Sequence, residues 1–397
     1  MEKPAIEGGI PSRESFLPYA KHWLGKEEKK EILEVLNSEW VTTGPKVTQF
    51  ENEIAQFSQA KYAVAVNSGT AALHCCTSAI DIKGGDEVIT STFTFLASAN
   101  CVVYRNGTPV LCDIQEDTYN IDPNKIREKI TAKTKAIIPV HYSGQPCDMD
   151  EINRIAKEHN LVVIEDAAHA FGAQYRSKKI GSLSDFTVFS FHRAKNITTG
   201  EGGAVLTNND EFFKLLKIHR THGITSEAAE RFGKEKDWYY EMIRLGYRYN
   251  MPEASAAMGI AQLRKLDKFQ SRRQRYASIY SKALKKIPEI ITPHIRPDRT
   301  TSWHLYTIRI RQETLKIDRD QFIKAMRAEN IGVNVHYIPV HLHPYYQKNY
   351  GYKNGDFPVA EKVFDTIITL PLFPKMKKDD VKDVINAVKK IVEYYRR

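Results

Sequence analysis

Between about Lys61 and Thr207, short apolar runs alternate with stretches whose apolar residues recur every three or four positions. The runs are YAVAV (62–66), DEVIT (86–90), TPVLCDI (108–114), KAIIPV (135–140), LVVIED (161–166), DFTVFSF (185–191) and GAVLT (203–207). Most are rich in β-branched residues and bounded by Gly, Pro, Asn or Asp, which predicts strands. Intervening segments such as DEINRIAKEHN have helical spacing. This alternation predicts an α/β fold built on a largely parallel sheet covered on both faces. Such sheets bind ligands outside the carboxyl ends of their strands, so chemistry is to be sought just after each run.

Beyond Glu253 a helical pattern, ASAAMGIAQLRKLDKF, leads into the charged QSRRQRYASIYSKALKKI, and the character of the chain then changes. WHLYTIRI (303–310) and GVNVHYIPV (332–340) predict strands of a second, smaller α+β unit. The closing segment DDVKDVINAVKKIVEYY places Val381, Val384, Ile385, Val388, Ile391 and Val392 on one helical face. A boundary near residue 270 is expected, giving a large domain over 1–270 and a small one over 271–397. No internal repeat is visible.

Composition narrows the class. The 397 residues are 42% hydrophobic with no apolar run that would span a bilayer, so a soluble protein without a membrane partner is expected. MEKPAIEGGIPSRESF lacks the apolar stretch of a secretory signal, which points to the cytoplasm. The five cysteines are odd in number and show no C-x-x-C spacing, which argues against a disulfide framework and a zinc site. The net charge of +10 comes from basic residues scattered among acids, as in KEEKKEILEV. With no basic block interleaved with aromatics, a solvated surface is favoured over a nucleic-acid partner.

Four sites follow strands. In NSGTAALHCC, Asn67, Ser68, Gly69 and Thr70 turn into an Ala-rich helix whose N-terminus suits a phosphate, although from this motif alone Ser68 or Thr70 as a simple helix cap is the commoner arrangement. In LVVIEDAAHAFGA, Asp166 closes an apolar strand and His169 follows three residues later. A carboxylate there needs a positive partner, such as a protonated pyridine nitrogen; a helix-capping Asp with a core histidine is the alternative. Phe95 of STFTFLASAN lies against a flat ring or belongs to the core. SFHRAKNITTGEGGAV sets Lys195 five residues after Ser190 and just before Gly200, Gly202 and Gly203. A desolvated lysine at that position becomes a nucleophilic amine able to form a Schiff base with a carbonyl cofactor. Exposure as an ordinary loop lysine is the alternative, and the coincidence of all four sites on one sheet argues against it.

These stretches, with HG at 222–223, LGYRYNMPEASAAMGIAQL and VNVHYIPVHLHPYY, resemble the DegT/DnrJ/EryC1/StrS family of pyridoxal-phosphate-dependent nucleotide-sugar aminotransferases. The likeness runs from about residue 25 to about residue 375. It is nearest to members of the pseudaminic-acid and spore-coat polysaccharide type, which aminate 4-keto-6-deoxy sugars on UDP or a related nucleotide. The resemblance implies the aspartate-aminotransferase fold (fold type I), with a mostly parallel seven-stranded sheet in the large domain. It implies a homodimer with shared active sites. It makes Lys195 the residue that bonds pyridoxal phosphate and shuttles a proton. It pairs Asp166 with the pyridine nitrogen, His169 with the ring hydroxyl and Phe95 with the ring face. Gly69, Thr70 and Ser190 match phosphate contacts, and His336 matches a histidine near the sugar. Many members read Gly-Tyr-Asn-Tyr-Arg where this chain has Gly246, Tyr247, Arg248, Tyr249 and Asn250. Arg248 or Asn250 is therefore expected at the partner subunit's cofactor phosphate, or Arg248 at the nucleotide diphosphate.

The expected reaction moves an amino group from glutamate to a nucleotide-linked keto sugar at C4, through the pyridoxal and pyridoxamine forms in turn. Amination at C3 and a non-catalytic sugar-binding regulator are the alternatives. A dehydratase on the same fold has histidine in place of the lysine, and Lys195 argues against it.

Overall fold

The computed structural model describes residues 2–225 and 238–397. Seven strands form the main sheet: β1 (Tyr62–Val66), β2 (Glu87–Ser91), β3 (Thr108–Cys112), β4 (Thr134–Ile138), β5 (Val162–Asp166), β6 (Phe186–Ser190) and β7 (Gly203–Thr207). Their spatial order is β1-β7-β6-β5-β4-β2-β3. The pairs from β6 through β3 are parallel, while β7 runs antiparallel to both β1 and β6. Each predicted run of the large unit therefore becomes a strand, shifted by a residue or two at its ends.

Because strand side chains alternate between faces, the sheet feeds two cores. Ala63, Ala65, Ile137 and Phe189 pack on one side with Phe50, Ile54 and Ile260. Val64, Val66, Ile138, Ile164 and Val188 pack on the other with Ala72 and Cys76 of α1 (Gly69–Ala79). Short runs apolar at nearly every position are what a strand covered on both sides requires. All five cysteines are buried and unpaired.

The chain leaves the large unit through α3 (Glu253–Leu263) and α4 (Leu266–Leu284), having used α2 (Ala97–Val103) to cross from β2 to β3. Phe269, near the start of α4, belongs to the first core, while Tyr276, Tyr280 and Leu284 belong to another core. That core is built on a three-stranded antiparallel sheet of β8 (Ile290–Ile291), β9 (Tyr306–Ile310) and β10 (Ile367–Leu370). Packed on it is α5 (Lys378–Tyr395), which buries all six apolar residues picked out from its helical spacing. Leu17 also packs there, forming a parallel bridge to Ile331, so the N-terminal segment lies on the small unit although it precedes the large one in sequence.

One expectation is corrected. GVNVHYIPV (332–340) is not a strand: it makes a single bridge, Asn334 to Thr369, and then runs irregularly into a short turn at Val340–Leu342. Its side chains are needed at the cavity described below, and a regular strand would direct every second one away. The partner of β9 on that side is instead β10, four residues ending at Leu370 just before Pro371.

Candidate active site

The ends of β1, β2, β4, β5 and β6 open on one cavity of about 430 Å³, closed from the small unit by Tyr19, His304, His336, Tyr337 and Leu372. At the start of α1, the Ser68 hydroxyl accepts the Ala71 N–H at 3.1 Å, so Ser68 caps the helix. Gly69 and Thr70 line the cavity. Their first-turn N–H groups have no partner within the helix and carry its positive end. A Cβ on Gly69 would stand 2.9 Å from the Ser190 Cβ, so only glycine lets the β6 end and the helix start close into one cradle. Amide donors, two hydroxyls and an absent side chain fit a phosphate group.

Asp166 ends β5 and is 6% exposed. Ser98, on α2, donates to its Oδ2 at 2.7 Å, and the Ala168 N–H reaches Oδ1 at 3.1 Å. Both oxygens are thereby fixed while the carboxylate still borders the cavity. Lys195, half-buried, faces it from the loop after β6. Burial pulls its amine down to about 8, with nearby Asp166 opposing the fall. The loop is pinned by the Asn196 amide, which donates to the Ser302 carbonyl at 2.8 Å.

Of the two phenylalanines after β2, Phe93 is fully buried and Phe95 is 57% exposed at the cavity, so Phe95 has not been taken up by the core. It offers a flat face there. His169 is buried, and both ring nitrogens are engaged: Nδ1 accepts the Ser143 N–H at 3.3 Å and Nε2 meets the Tyr337 hydroxyl at 2.9 Å. Burial, with Lys195 and His336 adding, holds its pKa well below the usual histidine range. His336 bonds Thr369 through Nδ1 at 2.8 Å, and burial pushes it down to about 3, so it is neutral.

Lys195, Asp166, His169, Phe95, Gly69, Thr70, Ser190 and His336 thus share one cavity. Arg248 and Asn250 do not line it. Arg248 is exposed and bridges Thr221, while the Asn250 amide donates to the hydroxyls of Thr43 and Thr221, each at 3.3 Å. Ser98 and Tyr337 were not singled out from the sequence as site residues. Ser98 sits 68 positions from the carboxylate it holds, and nothing local marks it.

The residues present fit pyridoxal phosphate: a cradle for its phosphate, an amine to hold its carbonyl carbon, a carboxylate for its ring nitrogen and an aromatic face.

Residues 23–389 match the DegT/DnrJ/EryC1/StrS aminotransferase family. The chain is 46% identical to the spore coat polysaccharide biosynthesis protein SpsC of Bacillus subtilis, over 97% of this chain and 99% of that one. It superposes on the putative sugar aminotransferase Spr1654 from Streptococcus pneumoniae, in its PMP form, with a TM-score of 0.90 and 32% identity, covering 95% of this chain and 99% of that one. The same protein in its PLP form gives 0.88. Helicobacter pylori PseC, an aminotransferase of pseudaminic-acid biosynthesis, matches with a TM-score of 0.88 and 30% identity, over 96% of this chain and all of the other.

Proposed function

The chain belongs to the DegT/DnrJ/EryC1/StrS aminotransferase family, and from that membership we propose that it moves an amino group from glutamate to C4 of a nucleotide-linked 4-keto-6-deoxy sugar. It is a pyridoxal-phosphate-dependent sugar aminotransferase on the fold-type-I scaffold. The observation that carries the reading is that Lys195 and Asp166, which follow and end adjoining strands, face one cavity beside a helix start whose first residue is the glycine Gly69.

Bound pyridoxal phosphate supplies an electron sink for breaking and making bonds at an amino-bearing carbon. Gly69, Thr70 and Ser190 hold its phosphate, Phe95 covers a ring face, and Asp166 keeps the ring nitrogen charged. Lys195, with an amine poised near pH 8, takes a proton at Nζ from one carbon and returns it to another. His336 stays neutral and lines the cavity where the sugar would lie. Likeness to a spore-coat polysaccharide protein and to PseC supports a surface-sugar substrate.

A homodimer is part of this reading. Arg248 or Asn250 would then reach the partner's cofactor phosphate, since neither lines the cavity of its own chain. A cluster of exposed apolar residues, Tyr239, Met242, Ile243 and Leu245, immediately precedes Arg248 in support. The test is a visible absorbance spectrum with pyridoxal phosphate, before and after glutamate. A cofactor band that bleaches with glutamate, and that Lys195→Ala lacks together with all turnover, is expected. A variant that keeps turnover would sink the assignment, and NMR of the product from candidate keto sugars locates the new amine.

A further inference from the structure

Tyr337 carries a proton whose direction can be worked out. The Ser143 backbone N–H can only donate, so His169 Nδ1 at 3.3 Å must accept and carries no hydrogen. The ring is neutral, because burial holds its pKa well below the ordinary range. A neutral imidazole with a bare Nδ1 has its hydrogen on Nε2, and that hydrogen points at the Tyr337 oxygen 2.9 Å away. Tyr337 is therefore the acceptor in this bond, and its own O–H is left over. Among the described residues that hydroxyl meets no other hydrogen-bond partner. Burial, with Asp166 and Tyr19 adding, raises its pKa, so it stays protonated. The ring lines the cavity, 5.8 Å from the Phe95 ring and 5.0 Å from the His336 ring.

We propose that Tyr337 is a further catalytic residue: oriented by His169, its hydroxyl donates a hydrogen bond to an electron-rich oxygen in the cavity, on the bound cofactor's ring or on the keto sugar. The proposal rests on the aminotransferase reading above. His169 then acts through Tyr337, aiming it, because both nitrogens of His169 are already engaged by the protein. A hydroxyl that already accepts a hydrogen bond is a stronger donor, since hydrogen bonds in series polarise one another. The groups facing Tyr337 are His169, His336, Phe95, Tyr19 and Asp166.

The test uses the cofactor-loaded protein and Tyr337→Phe, which keeps the ring. Without substrate, the cofactor band is titrated with pH. Losing a donor to an anionic ring oxygen raises the proton affinity of the bound cofactor, by about tenfold for one such bond. That shift assigns the hydroxyl to the cofactor. An unmoved titration with the keto-sugar half-reaction slowed about tenfold, and the glutamate half-reaction unchanged, assigns it to the sugar. Fluorotyrosine at this position is a stronger donor of the same shape and is expected to change the affected quantity the opposite way, which a packing role would not produce. Neither the titration nor either half-reaction altered overturns the proposal. Absence of a cofactor band in the unaltered protein instead overturns the function on which the proposal rests.

Discussion

Lys195 is a half-buried lysine whose amine has lost much of the water that would stabilise its charge. Burial lowers its pKa to about 8, and only Asp166 pulls the other way. The neutral amine is the form that captures a carbonyl. The rate at which the cofactor-free protein takes up pyridoxal phosphate should therefore rise about tenfold per pH unit below that value and level off above it. Stopped-flow absorbance checks this, and a profile that keeps climbing toward an ordinary lysine pKa would refute the desolvation argument. That this lysine lies in a loop after a strand was legible because strand ends are recognisable and the glycine-rich turn marks the loop. What it did not reveal was how the neighbours are tuned. Ser98 and Tyr337 act on Asp166 and His169, residues 68 and 168 positions away, through contacts that no local pattern encodes. The exchange of amide and guanidinium at Arg248 and Asn250 was visible at once, but its meaning depends on a second chain.

The elements show the same division between local and distant causes. The strands of the main sheet were legible because burial on both faces writes itself as an unbroken apolar run. β10 was missed because IITL is only four residues long and abuts a proline, whereas the apolar-rich GVNVHYIPV imitates a strand that the cavity forbids. Helix starts also borrow from afar. The helix Pro45–Ser58 begins after Gly44, which has no side chain to cap it. The cap is Glu253, 1% exposed, whose carboxylate accepts the N–H groups of Gly44 at 2.9 Å and of Lys46 and Val47 at 2.8 Å. It is simultaneously the first residue of α3, so one carboxylate fixes two helices. Glu253→Gln turns an acceptor into an amide that faces N–H groups, and should cost about 1–3 kcal/mol. A lower urea midpoint at unchanged slope is the expected result.

At the scale of the molecule, α4 joins one core of the main sheet to the core of the small unit, against which the N-terminal segment is stitched. We place the division between domains inside α4, after Phe269. Glu329, fully buried, is the centre of the stitching. It accepts the Ala5 N–H at 2.8 Å, the Ser12 N–H and hydroxyl at 2.7 Å each, and the buried Lys390 amine at 2.8 Å. Burial alone would raise its pKa, but Lys390 and the N-terminal donors outweigh it and the net shift is downward. A depressed carboxylate contributes stability above its unfolded pKa and loses it as pH falls through the folded value. Glu329→Gln should accordingly cost about 3–5 kcal/mol near neutrality, because it leaves Lys390 buried without its carboxylate. The gap from the unaltered protein should close below the ordinary carboxylate range, as thermal unfolding across pH would reveal. No described helix is long and apolar enough to cross a membrane.

The same carboxylate imposes an order in time. Ala5 and Ser12 leave the ribosome well before the group that binds them, which lies 324 and 317 positions later. At typical rates of synthesis, about 5–20 residues per second, the opening segment waits tens of seconds before its anchor exists. The large domain has all of its sheet strands well before then. These early residues are thus among the last to settle, and Tyr19 reaches the cavity wall only once the small unit, with His336 and Tyr337, has been made.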